Sequence, residues 1–443
     1  MQSAVIFWHR RDLRTEDNAG LSAALNEHLP VVPFFCFDRH ILERLPPADR
    51  RVAFLHGEVQ RLSAAYRDAG GDLIAAHELP LDALKSLCFR LASEGLKVQA
   101  IHTNQDYEPY AKVRDAEVQT WCDTEGIRFH THHDHVVMSP SEVLKDDGNP
   151  YTVFTPYSRK WHRILEDSSK RQVLAFETDL KGRLAAIQGN VPGLEEMGFS
   201  TLGADDWNVF VRRSPNLDVI DHYAEQRDIP SLEGTTRMSL HLRFGTLSIR
   251  SLARLGLDRS PKWLTELIWR DFYQTILFHF PHSATASFRP KYDRIPWRHD
   301  ESGFKAWQDG RTGYPLVDAG MRELEATGFM HNRVRMVVAS FLCKHLLIDW
   351  RWGERHFAEK LFDFDLASNV GGWQWASGSG CDAAPYFRVF NPESQQKKFD
   401  PDFAYIRHWV PEYGTPAYPE PIVDHRMARL RAIDTYKKAL AGE

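Results

Sequence analysis

The side chains best suited to chemistry lie in the second half of the chain. In Ser260-Pro261-Lys262-Trp263-Leu264-Thr265-Glu266-Leu267-Ile268-Trp269-Arg270-Asp271-Phe272-Tyr273, a capping serine and a first-turn proline predict a helix start. Glu266, Trp269, Arg270 and Tyr273 then share one face. A carboxylate beside a flat aromatic could hold a nucleic-acid base by hydrogen bonding and stacking. The plainer alternative is an exposed Glu266 to Arg270 pair, worth about 0.2–0.5 kcal/mol.

A second helix is predicted over 331–350 and carries Asn332, Arg333, Arg335 and Met336. Its two arginines point apart, so one could meet a phosphate and the other a carboxylate inside the protein. Downstream, Leu361-Phe362-Asp363-Phe364-Asp365-Leu366 alternates apolar and acidic residues, and acids in so apolar a setting need partners; Asp363 is paired with Arg335. In Asn369-Val370-Gly371-Gly372-Trp373-Gln374-Trp375, glycines permit close backbone approach. Gly234-Thr235-Thr236-Arg237-Met238-Ser239 places small donors at a helix start, which suits a phosphate or plain capping. Neither a phosphate loop nor a dinucleotide fingerprint occurs. The run His130-Thr131-His132-His133-Asp134-His135 looks like a metal cluster, but strand alternation divides it between two faces and no distant ligand set is evident, so no metal is expected.

The elements that must position these groups form two regions. Runs at 4–8, 31–37, 73–76, 98–102 and 127–131 read as strands, with helices between them at 51–67 and 80–92. That alternation predicts a Rossmann-like parallel sheet with flanking helices over 1–138. An irregular connector over 139–205 leads to a helical domain over 206–443, with further helices at 261–280 and 315–326. With 443 residues, two or three domains are expected. Nine of thirteen tryptophans follow residue 262, which alone would indicate an aromatic core. Five scattered cysteines, with no C-x-x-C pair, argue against disulfides, zinc fingers and iron–sulfur clusters. The N-terminus shows no leader or membrane span, so a cytoplasmic protein is expected. A net charge of -5 leaves nucleic-acid contact to a local basic patch.

Taken together, these motifs resemble the photolyase/cryptochrome family. Phe7-Trp8-His9-Arg10-Arg11-Asp12-Leu13-Arg14 with Asp17-Asn18 is similar to the family's opening, and 234–239, 263–273, 312–336 and 363–392 are similar to its FAD-binding domain. The resemblance implies an α/β domain that often holds an antenna chromophore and a helical domain that binds FAD and DNA. It implies FAD contacts at Tyr223, Thr235, Thr236, Met238, Ser239, Arg270, Asn332, Arg335, Asp363, Asp365 and Asn369, the last against the flavin's central ring nitrogen. Trp373, Trp350 and Trp297 match the family's tryptophan chain, which passes electrons inward.

Glu266, Trp269, Asn332, Met336 and Trp375 match the lesion pocket of class I enzymes that split cyclobutane pyrimidine dimers, with Arg333 beside the DNA backbone. The (6-4) branch has histidines where Asn332 and Met336 stand, and plant-type cryptochromes usually have Asp for Asn369. The implied function is therefore light-driven dimer repair on UV-damaged DNA by a monomer, with no membrane and no obligate protein partner. Its rivals are a cryptochrome-like photoreceptor and an adenylate-binding enzyme without flavin. Glu108 matches a folate-contacting position, which favours methenyltetrahydrofolate over 8-hydroxydeazaflavin as antenna.

Overall fold

Strand β1 (Gln2–His9) is apolar on both faces, so it must lie at the centre of a sheet covered on both sides. Val5 and Phe7 enter one core with Leu21, Phe35, Val59 and Tyr66, while Ala4, Ile6 and Trp8 enter another with Val32, Leu84, Leu87 and Ile101. The protein, seen here as a computed structural model, is described over residues 1–167, 175–201 and 212–442. Around β1 run β2 (Val31–Asp38), β3 (Ile74–Glu78), β4 (Leu96–Asn104) and β5 (Arg128–His132), all parallel, in the order β3-β2-β1-β4-β5. The connecting helices are α1 (Ala19–Leu25), α2 (Arg50–Asp68), α3 (Pro80–Ser93) and α4 (Pro109–Glu125). Such crossovers are what parallel strands require.

The chain divides into two units. The first comprises Met1–Glu142, Trp161–Arg213 and Met238–Asp258, and the second Val143–Lys160, Ser214–Arg237 and Arg259–Glu443. The chain thus passes between them more than once, and the predicted boundary between 205 and 206 lies outside the described residues. Within the first unit, α5 (Ser239–Phe244) and α6 (Ile249–Arg259) follow the sheet in sequence. Arg250 of α6 meets Asp134 at 2.8 Å and Asp17 at 3.0 Å, and Arg14 also meets Asp134 at 2.7 Å. Two guanidiniums hold the buried Asp134 carboxyl well below the usual range, against a desolvation cost that acts the other way.

The second unit is helical among its described residues. Its principal members are α7 (Pro261–His279), α8 (Pro315–Thr327), α9 (Asn332–Ser340), α10 (Trp350–Lys360), α11 (Leu366–Ser377) and α12 (His425–Ala441). Their core contains Trp307, Trp350 and Trp373 with Phe341, Leu342, Ile348 and Phe357.

The helix predicted over 331–350 is not continuous. α9 ends at Ser340, a wider π turn spans Phe341–Leu346, and Leu347 takes φ 55 before Asp349 caps α10. Apolar periodicity runs through this break, so it leaves no mark in the pattern. Lys344 lies inside the π turn, donating to the Ser377 carbonyl at 2.8 Å with its ammonium 3.6 Å from the Tyr436 ring centre. Among the described residues no helix is long and apolar enough to cross a membrane, and all five cysteines are unpaired.

The histidine run has neighbours that its own pattern does not reveal. His130 and His132 do fall on one face of β5, but His102 of β4 pairs in register with His130, and Glu27, just after α1, lies beside both. Three side chains of ligand type are thus neighbours among the described residues. Two of them lie about 28 and 100 residues upstream of the third, in positions no motif connects.

Burial holds His102, His132, His331 and His356 down to about 4. The unfolded chain takes up these protons first, so their contribution to stability is complete above about pH 6.5 and lost as pH falls toward 4. Burial raises the carboxyls of Asp318, Glu323 and Glu354, which act in the opposite sense. A single-site comparison isolates the effect: His356→Asn, which can keep the 3.1 Å bond to Gln308, should lose less of its urea midpoint than wild type between pH 7.5 and 5. An equal loss in both proteins would remove His356 from this account.

Candidate functional site

Ser260 caps α7 by accepting from the Trp263 amide, and Pro261 fills its first turn, so the helix starts where its sequence requires. Glu266 is half-buried and pairs with Arg227. Arg227 in turn covers the Tyr223 ring at 5.2 Å. Trp269 stacks on Phe154 with ring centres 3.6 Å apart and an angle of 4°, and its ring centre lies 5.6 Å from that of Tyr273 at a tilt of 32°. A carboxylate and an indole are thus held near each other by contacts from outside their own helix.

The two arginines of α9 separate as the spacing predicts. Arg335 donates to the Met330 carbonyl at 2.7 Å and to both oxygens of Asp363 at 3.2 Å. Arg333 donates to Asp228 at 2.8 Å and lies 4.3 Å over the Phe399 ring, while Met336 sits beside it. Asn332 is exposed on the first turn of the same helix. Phe329 links this region to the 234–237 segment, because the Arg237 and Arg335 guanidiniums lie 5.0 and 5.6 Å from its ring centre. Next to Arg237, the Thr236 hydroxyl accepts from the Trp263 indole at 3.2 Å, and Thr235 is half-buried.

α11 carries the remaining residues. Asp365 caps it through the Ser368 amide at 3.0 Å and accepts from Gln274 of α7 at 3.1 Å. One turn later, Asn369 directs its amide hydrogens to the backbone carbonyl and carboxylate of Glu354, at 3.1 and 2.9 Å. Burial raises the Glu354 carboxyl despite that bond. Trp373, one further turn along, is buried against Trp307 at 6.1 Å and Phe357 at 5.0 Å. Trp350 shares that core, and Trp297 packs at its margin, half-exposed and 5.8 Å from Tyr436. On the opposite side of α11, Trp375 lines a cleft of about 420 Å³ with Tyr273, Phe288, Gly371, Gln374 and Cys381.

The expected residues of this unit therefore converge: Tyr223, Glu266 and Trp269 through Arg227 and α7, Thr236 through Trp263, and Arg335, Asp363, Asp365 and Asn369 through α9 and α11. Arg270 shares the α7 face with Glu266. Met238 and Ser239 lie in the first unit, at the start of α5. Glu108 also belongs to the first unit, where Arg11 at 2.9 Å and Arg243 at 2.8 Å hold its carboxylate. Sequence reasoning missed Arg227, Asp228, Glu354 and Phe154, the partners that fix the expected residues. No local pattern marks them. The close approach read from Gly371-Gly372 has its counterpart at Gly371 alone.

Residues 263–417 match the model for the FAD binding domain of DNA photolyase, and residues 5–175 match the DNA photolyase model. The chain is 38% identical to the deoxyribodipyrimidine photo-lyase of Synechococcus sp., covering 100% of this chain and 99% of that one. A class III photolyase structure from Agrobacterium tumefaciens superposes with a TM-score of 0.87 at 32% identity, covering 100% and 98%. An archaeal photolyase from Sulfolobus tokodaii, described with two FAD molecules, superposes with a TM-score of 0.81 at 34% identity, covering 98% and 100%.

A Cβ at Gly371 would lie 2.3 Å from the Tyr273 ring, whereas one at Gly372 would meet nothing within 4 Å. Gly371→Ala should therefore destabilise the protein by about 1–3 kcal/mol through overpacking. Gly372→Ala should stabilise it by about 0.5–1 kcal/mol, as alanine does inside a helix. Urea unfolding of both variants checks the pair, and an unchanged midpoint in Gly371→Ala would contradict the close contact of α7 and α11.

Proposed function

Because the chain belongs to the photolyase/cryptochrome family, we propose that it is a deoxyribodipyrimidine photo-lyase, which uses light and FAD to split cyclobutane pyrimidine dimers in UV-damaged DNA. The observation that carries this reading is the convergence, within one helical unit, of a carboxylate and a stacked indole on α7 with the Arg335–Asp363 pair and the fixed carboxamide of Asn369.

The donor set fits FAD. Tyr223, Thr235, Thr236, Arg270, Asn332, Arg335, Asp363, Asp365 and Asn369 supply hydroxyls, guanidiniums and carboxylates of the kinds that a pyrophosphate, a ribityl chain and a flavin edge require. Both amide hydrogens of Asn369 are engaged by Glu354, so its carbonyl oxygen is the atom oriented to accept from a protonated ring nitrogen. Asp363 fixes the direction of the Arg335 guanidinium. When bound, reduced and excited by light, FAD supplies an electron to the dimer and recovers it once the cyclobutane ring has opened.

The protein's own part is to bind, orient and exclude water. Photolyases take the dimer out of the duplex stack. Glu266, steadied by Arg227, and Asn332 then meet the polar edges of the pyrimidines. Trp269, backed by Phe154, and Trp375 offer flat faces, and Met336 closes the pocket against water. Arg333 contacts the phosphate backbone, exchanging Asp228 for a phosphate. Trp373 and Trp350 are buried while Trp297 is half-exposed. That gradient supports Trp297 as the outer end of an electron relay and Trp373 as the inner end. In the first unit an antenna chromophore is proposed near Glu108, with methenyltetrahydrofolate favoured over 8-hydroxydeazaflavin.

The test is light-dependent loss of thymine dimers from an irradiated oligonucleotide, with a dark control and the absorption spectrum of the purified protein. A yellow protein that repairs only in light is expected, and a yellow protein without repair would make it a photoreceptor. An extra near-UV band would report the antenna. Glu266→Ala should slow repair about tenfold or more, the scale of a lost hydrogen bond to a charged group, with flavin content unchanged. Loss of flavin in that variant would move Glu266 to the cofactor. Trp373→Phe should abolish photoreduction yet repair normally after chemical reduction, and unchanged photoreduction would remove Trp373 from the relay.

A further inference from the structure

The first unit contains a side-chain cluster that dimer repair does not use. His102 on β4 stands opposite His130 on β5, and Glu27 reaches them from the residues following α1. One ligand-type atom from each lies within 4.8 Å of the others. His102 is only 3% exposed, and its Nε2 has no hydrogen-bond partner although a Glu27 oxygen is 3.4 Å away. The buried Nε2 of His130 likewise has none. Two buried imidazole nitrogens without partners are costly, and such groups normally find a hydrogen bond or an ion.

The other nitrogen of His102 completes the picture. Its Nδ1 lies 3.1 Å from Nε2 of His132, and the two rings stack at 4°. A hydrogen bond on Nδ1 fixes ring orientation and, when His102 donates it, leaves the Nε2 lone pair for a metal, as in many zinc sites. Tetrahedral zinc with bonds of about 2.0–2.2 Å sets ligand atoms roughly 3.4 Å apart. The His102–Glu27 separation already matches. Closing the gap from at most 4.8 Å to roughly 3.4 Å takes up to about 1.4 Å, shared by His130 and Glu27, which are only partly buried.

We propose that Glu27, His102 and His130 form a binding site for a divalent transition-metal ion of the zinc class, with its fourth coordination position open. Two imidazoles and one carboxylate suit zinc, nickel or cobalt; magnesium and calcium require oxygen-rich sites, and no thiolate belongs to the cluster. Arg128 donates to both Glu27 oxygens at 2.8 Å, so it competes with the ion. Its side chain is 52% exposed and free to swing away into solvent. Bound metal would tie the end of α1 to β4 and β5.

The experiment is equilibrium dialysis of the full-length protein, stripped with chelator, against buffered Zn²⁺, with bound metal quantified and unfolding temperature recorded. Wild type should take up one more equivalent than His130→Ala, and Glu27→Gln should weaken that uptake about tenfold or more. Arg128→Ala should tighten it, because the competing cation is gone. Zn²⁺ should raise the unfolding temperature of wild type but not of Glu27→Gln, and Mg²⁺ should raise neither. Equal uptake by wild type and His130→Ala, or no tightening in Arg128→Ala, would overturn the proposal and leave the cluster an ion pair beside stacked imidazoles.

Discussion

The second unit depends on how closely its helices can approach α11. On one side the missing side chain of Gly371 admits the Tyr273 ring of α7. On another, Gly353 of α10 admits the Trp373 ring, where a Cβ would lie 2.1 Å from it. Larger residues at either position would push the helices apart, because packed interiors leave no slack to absorb a methyl group. With α11 held at these distances, residues one turn apart fall into a row: Asp365 at the cap, then Asn369, then Trp373. Asp365 reaches α7 through Gln274, Asn369 reaches α10 through Glu354, and Trp373 enters the aromatic core.

Charge then fixes what packing has assembled. Asp363 is almost fully buried, and an ion in that position would be costly without Arg335. The pair is better understood as a device for direction than as a source of stability. It aims one guanidinium of α9 inward, while Asp228 and Phe399 hold the other, on Arg333, at a half-exposed position. The same division appears on α7. Arg227 restrains Glu266 and Phe154 restrains Trp269, so the two groups proposed to meet the lesion are held in place by the fold itself, and such preorganisation lowers the entropic cost of binding.

The first unit shows the same economy with a different scaffold. Its sheet is covered on both faces, so polar side chains on inner strand positions must satisfy one another. Asp134 does so with Arg14 and Arg250. His102 and His130 do not fully do so, and their unpaired nitrogens are the feature that distinguishes the cluster with Glu27 from an ordinary buried network.

Much of this was legible in the sequence for a physical reason. Strand and helix periods, the Ser260-Pro261 start of α7, the inward and outward arginines of α9 and the need of Asp363 for a cation are all local consequences of residue chemistry, and each is present. The resemblance to a flavoprotein family added which residues to look for. The partners were not legible. Arg227 on Glu266, Glu354 on Asn369, Phe154 on Trp269 and Glu27 beside His102 and His130 join residues 15 to 115 positions apart. The break between α9 and α10 was equally silent, because apolar periodicity crosses it while a buried lysine and a left-handed leucine interrupt the helix. Sequence determined which side chains needed company; only the tertiary structure decided which neighbours they found, since that choice depends on distances the chain sets only when it folds.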